Sequence, residues 1–344
     1  MPHKLLVDAP HALSDADLIA AQDLLTTLDA EMLPQDPRLP PDALVSLMRA
    51  QPSHTSLRLI RVVDDSGDVV AAAQCRMSML SNGDRTLGVG GGVHPDHRKS
   101  GLAWTLLRAA VEVAQQADRS LLAFTTVDTV PAGEAWAQRV GAARAQVTVT
   151  NRLDLRATDR KMLEQWVADG PARAPDYELV VVEQAEAAQM LPVLCDVMTV
   201  LNDAPRDNLE RADITLTPAQ LADELRAATE VGAQLRWLLA RHRATGEYVG
   251  LHDIHLFPFA SATAFVGQTG VQAAHRGQAL GKWMKAAMTL WLLDEHPEIV
   301  DVRTSNAVSN GAMLAINTAM GYRAYVRSTT WQLEVVAAAR LLSR

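Results

Sequence analysis

Apolar positions at Leu13, Leu18, Leu24, Leu25 and Leu28 recur at helical spacing and predict a helix over 13–33, with Ser14 or Asp15 as its cap. Pro34, Pro37, Pro40 and Pro41 break that run, and Asp42 restarts a helix through about Arg49. The period then changes. Segments 57–63 and 69–79 read as strands joined by the turn Asp64-Asp65-Ser66-Gly67, and 86–93, with glycine at 88, 90, 91 and 92, reads as a third. After a loop at 94–101, Leu102, Leu106, Ala109, Val113 and Ala117 return to helical spacing. A strand at 121–127, a short helix at 132–139 ended by Gly141, and a strand at 145–155 complete the series.

The second half runs through the same order. Strands at 235–240 and 248–257 flank a turn at Thr245-Gly246, followed by a strand at 263–271, a helix at 281–295 and a strand at 299–304. A helix at 309–320 ended by Gly321 and a strand at 324–335 close the chain. Gly67 aligns with Gly246, Arg98 with Arg276, Gly141 with Gly321 and Asn151 with Trp331, all at offsets of 178 to 180. Offsets this even across several elements indicate duplication of one fold. The expected division is a first domain at 1–156, a linker helix and loop at 157–176 and a second domain at 177–344. Asp169-Gly170-Pro171-Ala172-Arg173-Ala174-Pro175 reads as linker by composition.

Composition narrows the setting without naming the chemistry. The chain has 344 residues, 48% hydrophobic and 21% charged, enough for two cores. Cys75 and Cys195 cannot form a disulfide framework, and neither has a metal-ligand spacing, so no metal site is expected. No run is long enough to cross a bilayer and no signal-peptide core is visible, which makes a cytoplasmic setting the expectation. A formal charge of -8 argues against general nucleic-acid binding and suits a cationic substrate.

Two stretches carry the chemistry. Val271-Gln272-Ala273-Ala274-His275-Arg276-Gly277-Gln278-Ala279-Leu280-Gly281-Lys282 joins a strand to an amphipathic helix, and Val93-His94-Pro95-Asp96-His97-Arg98-Lys99-Ser100-Gly101-Leu102-Ala103 is its near-copy. Such a junction presents unpaired N–H groups at a positive helix end, and small residues let phosphates approach the backbone. Alone, either loop is an ordinary strand-to-helix turn. Two in register, each followed by a strand and a short helix ending in glycine, are more than that.

This arrangement resembles the GNAT N-acetyltransferase superfamily, over nearly the whole chain, as two tandem domains of a mixed α/β (α+β) sheet fold. The layout is similar to that of the mycothiol synthases, in which the C-terminal domain works. The resemblance implies acetyl-CoA as cofactor, its pyrophosphate cradled by the loop and its pantetheine paired with the preceding strand. By position it carries over to Val271, Arg276, Gly277, Gln278, Ala279, Gly281 and Lys282, and in the first copy to Val93, Arg98, Lys99, Ser100, Gly101 and Ala103.

Further along, Asn310 and Gly321-Tyr322 match the family's next helix, but Asn317 stands where the family often has the tyrosine that protonates the departing thiolate. An asparagine donates hydrogen bonds but supplies no proton. Asn306, at the end of the preceding strand, joins Asn310 and Asn317 as a cofactor-site candidate. The first copy lacks both asparagines and ends in Gly141-Ala142, which implies a domain that binds CoA without catalysis or only scaffolds its partner. Asp253 and His255 share one strand face, opposite His252, and either is a candidate base for an incoming ammonium. Asn202 and Asp203 fall in the loop that covers the acceptor site in this family. Trp331 either walls the acceptor pocket or packs. The expected activity is direct transfer of an acetyl group to a primary amine of a small molecule or peptide, catalysed by the C-terminal copy. A non-catalytic CoA sensor or scaffold is the rival.

Overall fold

The computed structural model describes residues 3–36, 39–79 and 84–343, so Pro37 of the predicted helix break lies outside the described residues. In chain order the first half forms β1 (Lys4–Asp8), α1 (Asp15–Met32), α2 (Pro41–Arg49), β2 (Thr55–Val63), β3 (Val69–Ser78), β4 (Thr86–Val93), α3 (Leu102–Gln116), β5 (Leu121–Val127), α4 (Pro131–Arg139) and β6 (Ala143–Asp154). The second forms α5 (Arg160–Arg173), β7 (Tyr177–Glu183), α6 (Gln184–Met198), α7 (Pro218–Glu230), β8 (Gln234–His242), β9 (Tyr248–Leu256), β10 (Thr263–Val271), α8 (Leu280–Glu295), β11 (Asp301–Ala307), α9 (Gly311–Met320), β12 (Arg323–Glu334) and α10 (Val335–Leu342). Ser14 caps α1 by accepting from the Asp17 N–H, a contact worth about 1 kcal/mol. The edge strands β1 and β7 and the short α10 were not foreseen from the residue pattern, because each is short and lacks a clean period.

The chain divides into two compact units: residues 1–147 with 206–212 and 326–344, and residues 148–205 with 213–325. In the first, β1, β2, β3 and β4 are successively antiparallel, β4 and β5 are parallel, and β5 pairs antiparallel with β12. The second repeats this with β7, β8, β9 and β10 antiparallel, β10 and β11 parallel, and β11 antiparallel with β6. The halves have therefore exchanged their last strands. Residues 148–154 of β6 pair with β11, and residues 328–334 of β12 pair with β5, which a cut at 156 separates.

The expected linker is likewise part of the second unit. Asp159 caps α5, and Leu163 of that helix is fully buried in the core formed with Trp283, Met284, Met288 and Leu292 of α8. A side chain at Gly170 would lie 2.4 Å from the Trp283 indole, so glycine lets α5 lie against α8. The helix runs on through Pro171 to Arg173, because this close packing outweighs the local breaking tendency.

The exchange has a consequence for truncation. A fragment ending at residue 156 loses Leu333, Val335 and Ala338 from the first core and leaves β5 with an unpaired edge. It is expected to aggregate or to bind hydrophobic dyes, with recovery when a peptide spanning 323–343 is added. A monomeric fragment with a cooperative urea transition would contradict this.

Candidate functional site

Each unit carries the strand, loop and helix junction. Both loops contain a 3-10 turn and two left-handed residues: Lys99 (φ 63°) and Gly101 (φ 89°) in the first, Gly277 (φ 83°) and Ala279 (φ 56°) in the second. Lys99 corresponds to Gly277 and Gly101 to Ala279, so each loop has glycine at one left-handed position and tolerates a side chain at the other. The left-handed form costs a side-chain-bearing residue roughly 1–2 kcal/mol. Gly101 and Ala279 begin α3 and α8 with no side chain capping the first turn. Their N–H groups thus remain available to an anion, favoured there by the helix dipole.

The two arginines brace the loops. Arg276 Nε donates to the Val271 carbonyl at 3.0 Å, and its Nη2 meets Asp203 at 3.2 Å. Arg98 repeats the arrangement, donating to the Val93 carbonyl at 3.4 Å and gripping the Glu31 carboxylate with both terminal nitrogens. Ser100 bonds the His97 carbonyl within the same loop, and Ala103 lies in the first turn of α3.

In the second unit the junction opens on a cleft of about 540 Å³. Pairing of β10 with β11 covers only Thr263–Phe265, after which Thr269, Gly270 and Val271 form one wall. Arg276, Gly277, Ala279, Gly281 and Lys282 line the loop end, Asn310, Met313 and Ile316 the α9 side, and Val200, Leu201, Asp203, Ala204 and Pro205, but not Asn202, the remaining side. Gln278 instead faces a crevice with Trp166, Asp169 and Arg173 of α5, and Lys282 Nζ sits 3.6 Å from the centre of the Trp166 ring. Burial, with Arg173 nearby, lowers the Lys282 ammonium from its usual range.

Other candidate residues are placed differently from expectation. Asn310 lines the cleft and caps α9 by accepting from the Met313 N–H. Asn317 is buried and donates to Asn306 Oδ1 at 2.8 Å, and neither is among the residues lining the cleft. The Asn202 side-chain amide donates to the Ile214 carbonyl and accepts from the Ile214 N–H, both at 2.9 Å, and so clips the loop shut. Trp331 belongs to the first unit, where it is buried opposite Phe124 and donates to Thr126 at 2.8 Å, and it is not among the residues lining the cleft. Its sequence context could not reveal the strand exchange.

The structure brings Asp253 and His255 together. A register shift between Val266 and Thr269 bulges β10 against β9. The buried Asp253 accepts the Gln268 backbone N–H at 2.6 Å and lies 2.7 Å from His255 Nε2, while the His255 side chain stays 30% exposed. The carboxylate fixes the proton on Nε2 and leaves Nδ1 as an acceptor. A side chain at Gly267 would lie 2.2 Å from Asp253 Oδ2, so the bulge needs glycine over this pair.

Behind the cleft, His252 is buried on the other face of β9, with Nδ1 2.8 Å from Thr269 Oγ1. Burial, reinforced by Lys285, pushes the His252 imidazole well below its usual range, so it is neutral. Lys285, on α8, is fully buried, its Nζ has no hydrogen-bond partner, and the Tyr322 ring centre lies 5.2 Å away. Burial pushes this lysine down to about 7. Nothing in the periodicity of α8 distinguishes Lys285 from a surface lysine, and the sequence reading missed it.

The first unit departs from the second where the acyl end would be. Its β3 and β4 pair without a register shift from Ala71 to Arg76, and Gln74 and Arg76 occupy the places of Asp253 and His255. Trp104 and Trp136, at the places of Lys282 and Ile316, make an edge-to-face contact with centroids 4.8 Å apart.

Two measurements probe this geometry. Gly267→Ala must separate Asp253 from His255, and urea unfolding is expected to register a loss of roughly 1–3 kcal/mol; no loss would mean the bulge relaxes freely. In the unfolded chain Lys285 titrates near 10.4, so between pH 7 and about 10 the unfolded state binds a proton that the native state lacks. Stability contributed at this position therefore rises with pH across that window, and below pH 7 the burial cost is fully present. Lys285→Met is expected to gain roughly 4 kcal/mol over wild type at pH 6, a gain that vanishes near pH 10. A pH-independent difference would contradict the burial.

Comparison with known proteins supports the duplication and identifies the fold. Residues 22–142 match the profile of the acetyltransferase (GNAT) family. The match falls on the first unit, which keeps the pyrophosphate-type loop and its glycine-rich strand. No curated protein matches the chain. Among solved structures, a tandem GNAT protein from the clavulanic acid biosynthesis pathway, determined without acetyl-CoA, is 26% identical over 97% of this chain and 99% of its own, with a TM-score of 0.77. A GCN5-related N-acetyltransferase from Sphaerobacter thermophilus shares the fold at 14% identity, covering 96% of both chains with a TM-score of 0.67. A glucosamine N-acetyltransferase region of a fungal multi-domain GH3 beta-N-acetylglucosaminidase does so at 12%, over 97% of this chain and 38% of that one, with a TM-score of 0.67. Residues 22–142 thus match the GNAT acetyltransferase family, and the chain has, over nearly its whole length, the fold of a tandem GNAT protein.

Proposed function

We propose that the second unit is an acetyl-CoA-dependent N-acyltransferase that acetylates a primary amine of a small molecule or peptide by direct transfer in a ternary complex. The observation that carries the reading is the opening of β10 from β11 next to the Asp253–His255 pair, in the same unit as the loop and its cleft. The fit to CoA rests on three features of that cleft. It has unpaired helix N–H groups for a pyrophosphate, a strand edge for pantetheine amides, and a volume of about 540 Å³. Acetyl-CoA, when bound, supplies the acetyl group as an activated thioester.

In this reading Gly277, Ala279 and Gly281 admit the phosphates to the backbone, and Asn310 borders the pantetheine channel. His255 Nδ1 takes a proton from the attacking amine, and Asp253 holds the ring and offsets the resulting charge. The new C–N bond replaces the C–S bond, and water reprotonates the departing thiolate. The first unit, lacking the bulge and the acid–histidine pair, serves as a non-catalytic CoA-binding or scaffolding unit. Among acceptors, no observation favours the mycothiol precursor over other amines.

Thiol release from acetyl-CoA across an amine library tests the proposal. Robust release is expected, falling at least a hundredfold in His255→Gln and lost in Arg276→Glu combined with Gly277→Trp. Binding of acetyl-CoA by calorimetry without release for any amine would favour the sensor reading. Turnover that survives the loop double variant would move catalysis out of this unit.

A further inference from the structure

The family's usual proton donor to sulfur is absent at Asn317, and the asparagine there is buried, turned to Asn306 and not among the residues lining the cleft. A residue of the cleft wall does carry a hydroxyl. Thr269 lines its wall on β10, and its Oγ1 is held 2.8 Å from Nδ1 of the buried His252. We infer that Thr269 supplies a hydrogen bond to the CoA sulfur, and that His252 is a positioning residue that fixes the hydroxyl's direction.

Three observations carry this assignment, which rests on the second unit being the CoA site. The β10 bulge ends at Thr269, and the strand's register then sets this residue directly opposite His252. The corresponding places in the first unit are Gly91 and Ala73, themselves paired across β3 and β4, so the threonine–histidine pair belongs only to the unit that has the bulge and the Asp253–His255 pair. Finally, the groups around His252 are Thr269 and Gln268 of β10 and Lys285 of α8, and none is a carboxylate that would charge the ring. This role requires the neutral imidazole to carry its single N–H on Nδ1, donating to Thr269 Oγ1 rather than to the Gln268 backbone and leaving the hydroxyl hydrogen free to point into the cleft. The chemistry requires only a hydrogen bond: as the C–S bond breaks, the thiolate is stabilised by the hydroxyl and takes its proton from water.

The test needs no acceptor. Isothermal calorimetry on the full chain compares CoA with desulfo-CoA at pH 9.5, where a thiol of pKa about 8.5 is mostly ionised. If wild type binds two equivalents, every protein carries Arg98→Glu so that only the second loop reports. Wild type is expected to prefer CoA by roughly tenfold or more, the effect of a hydrogen bond to a charged group. Thr269→Val should erase that preference while leaving desulfo-CoA binding within about twofold, and Thr269→Ser should retain it. His252→Leu should reduce it, and His252→Asn, which keeps a nitrogen near the Nδ1 position, should restore part of it. An undiminished preference in Thr269→Val overturns the assignment. Binding that is insensitive to Arg276→Glu would instead refute the location of the CoA site itself, so the two failures are distinguishable.

Discussion

A backbone amide inside a sheet is available to a ligand only where the neighbouring strand has let it go. In the second unit that release comes after Phe265, where three residues of parallel pairing between β10 and β11 end. Every other part of the candidate site follows from this opening. The cleft forms where β11 departs, α8 begins where β10 runs out, and the bulge between Val266 and Thr269 turns alternate side chains of β10 toward the two faces of the opening. On one face lie Asp253 and His255 beneath Gly267. On the other, Thr269 meets His252. The sheet supplies the geometry, and the side chains only use it.

The two units share one loop architecture and differ beside it. Both loops place two residues in left-handed conformations, brace an arginine against the last carbonyl of the strand and tie it to an acid from a preceding helical segment, Glu31 or Asp203. These features depend on backbone shape and survive substitution at single positions, as the alternation of Lys99 with Gly277 and Gly101 with Ala279 illustrates. The units differ instead in particular side chains and in one inserted residue in a strand. In the first unit the register stays unbroken, and two tryptophans occupy the positions of Lys282 and Ile316. The match to the family profile, over residues 22–142, falls on the first unit.

The second unit also buries two basic side chains. Lys285 is held in the core without a hydrogen-bond partner, and His252 beside it is kept neutral. Both lower stability relative to apolar side chains of similar size. The His252 contact to Thr269 links these two residues to the cleft wall.

Much of this was legible in the residue pattern. Apolar periodicity of 3.6 or 2, glycine at the turns and two loops in register located most of the helices and strands, because those signals arise from contacts between near neighbours in the chain. The pairing of Asp253 with His255 was half legible: alternation put both on one face, while the bulge that joins them is a register shift between strands. What the pattern could not determine was which strand completes which sheet. β6 and β12 are alike in length and alternation, so either could fill either edge, and whether Trp331 walled a pocket or packed stayed open until the exchange placed it opposite Phe124 in the first unit. The place of α5 was equally hidden, since the Gly-Pro that reads as a linker is the spot where a missing Cβ lets a helix meet Trp283. Local propensity is a property of neighbouring residues, whereas strand partners and close packing are decided by residues more than a hundred positions away. Only the tertiary structure holds that information.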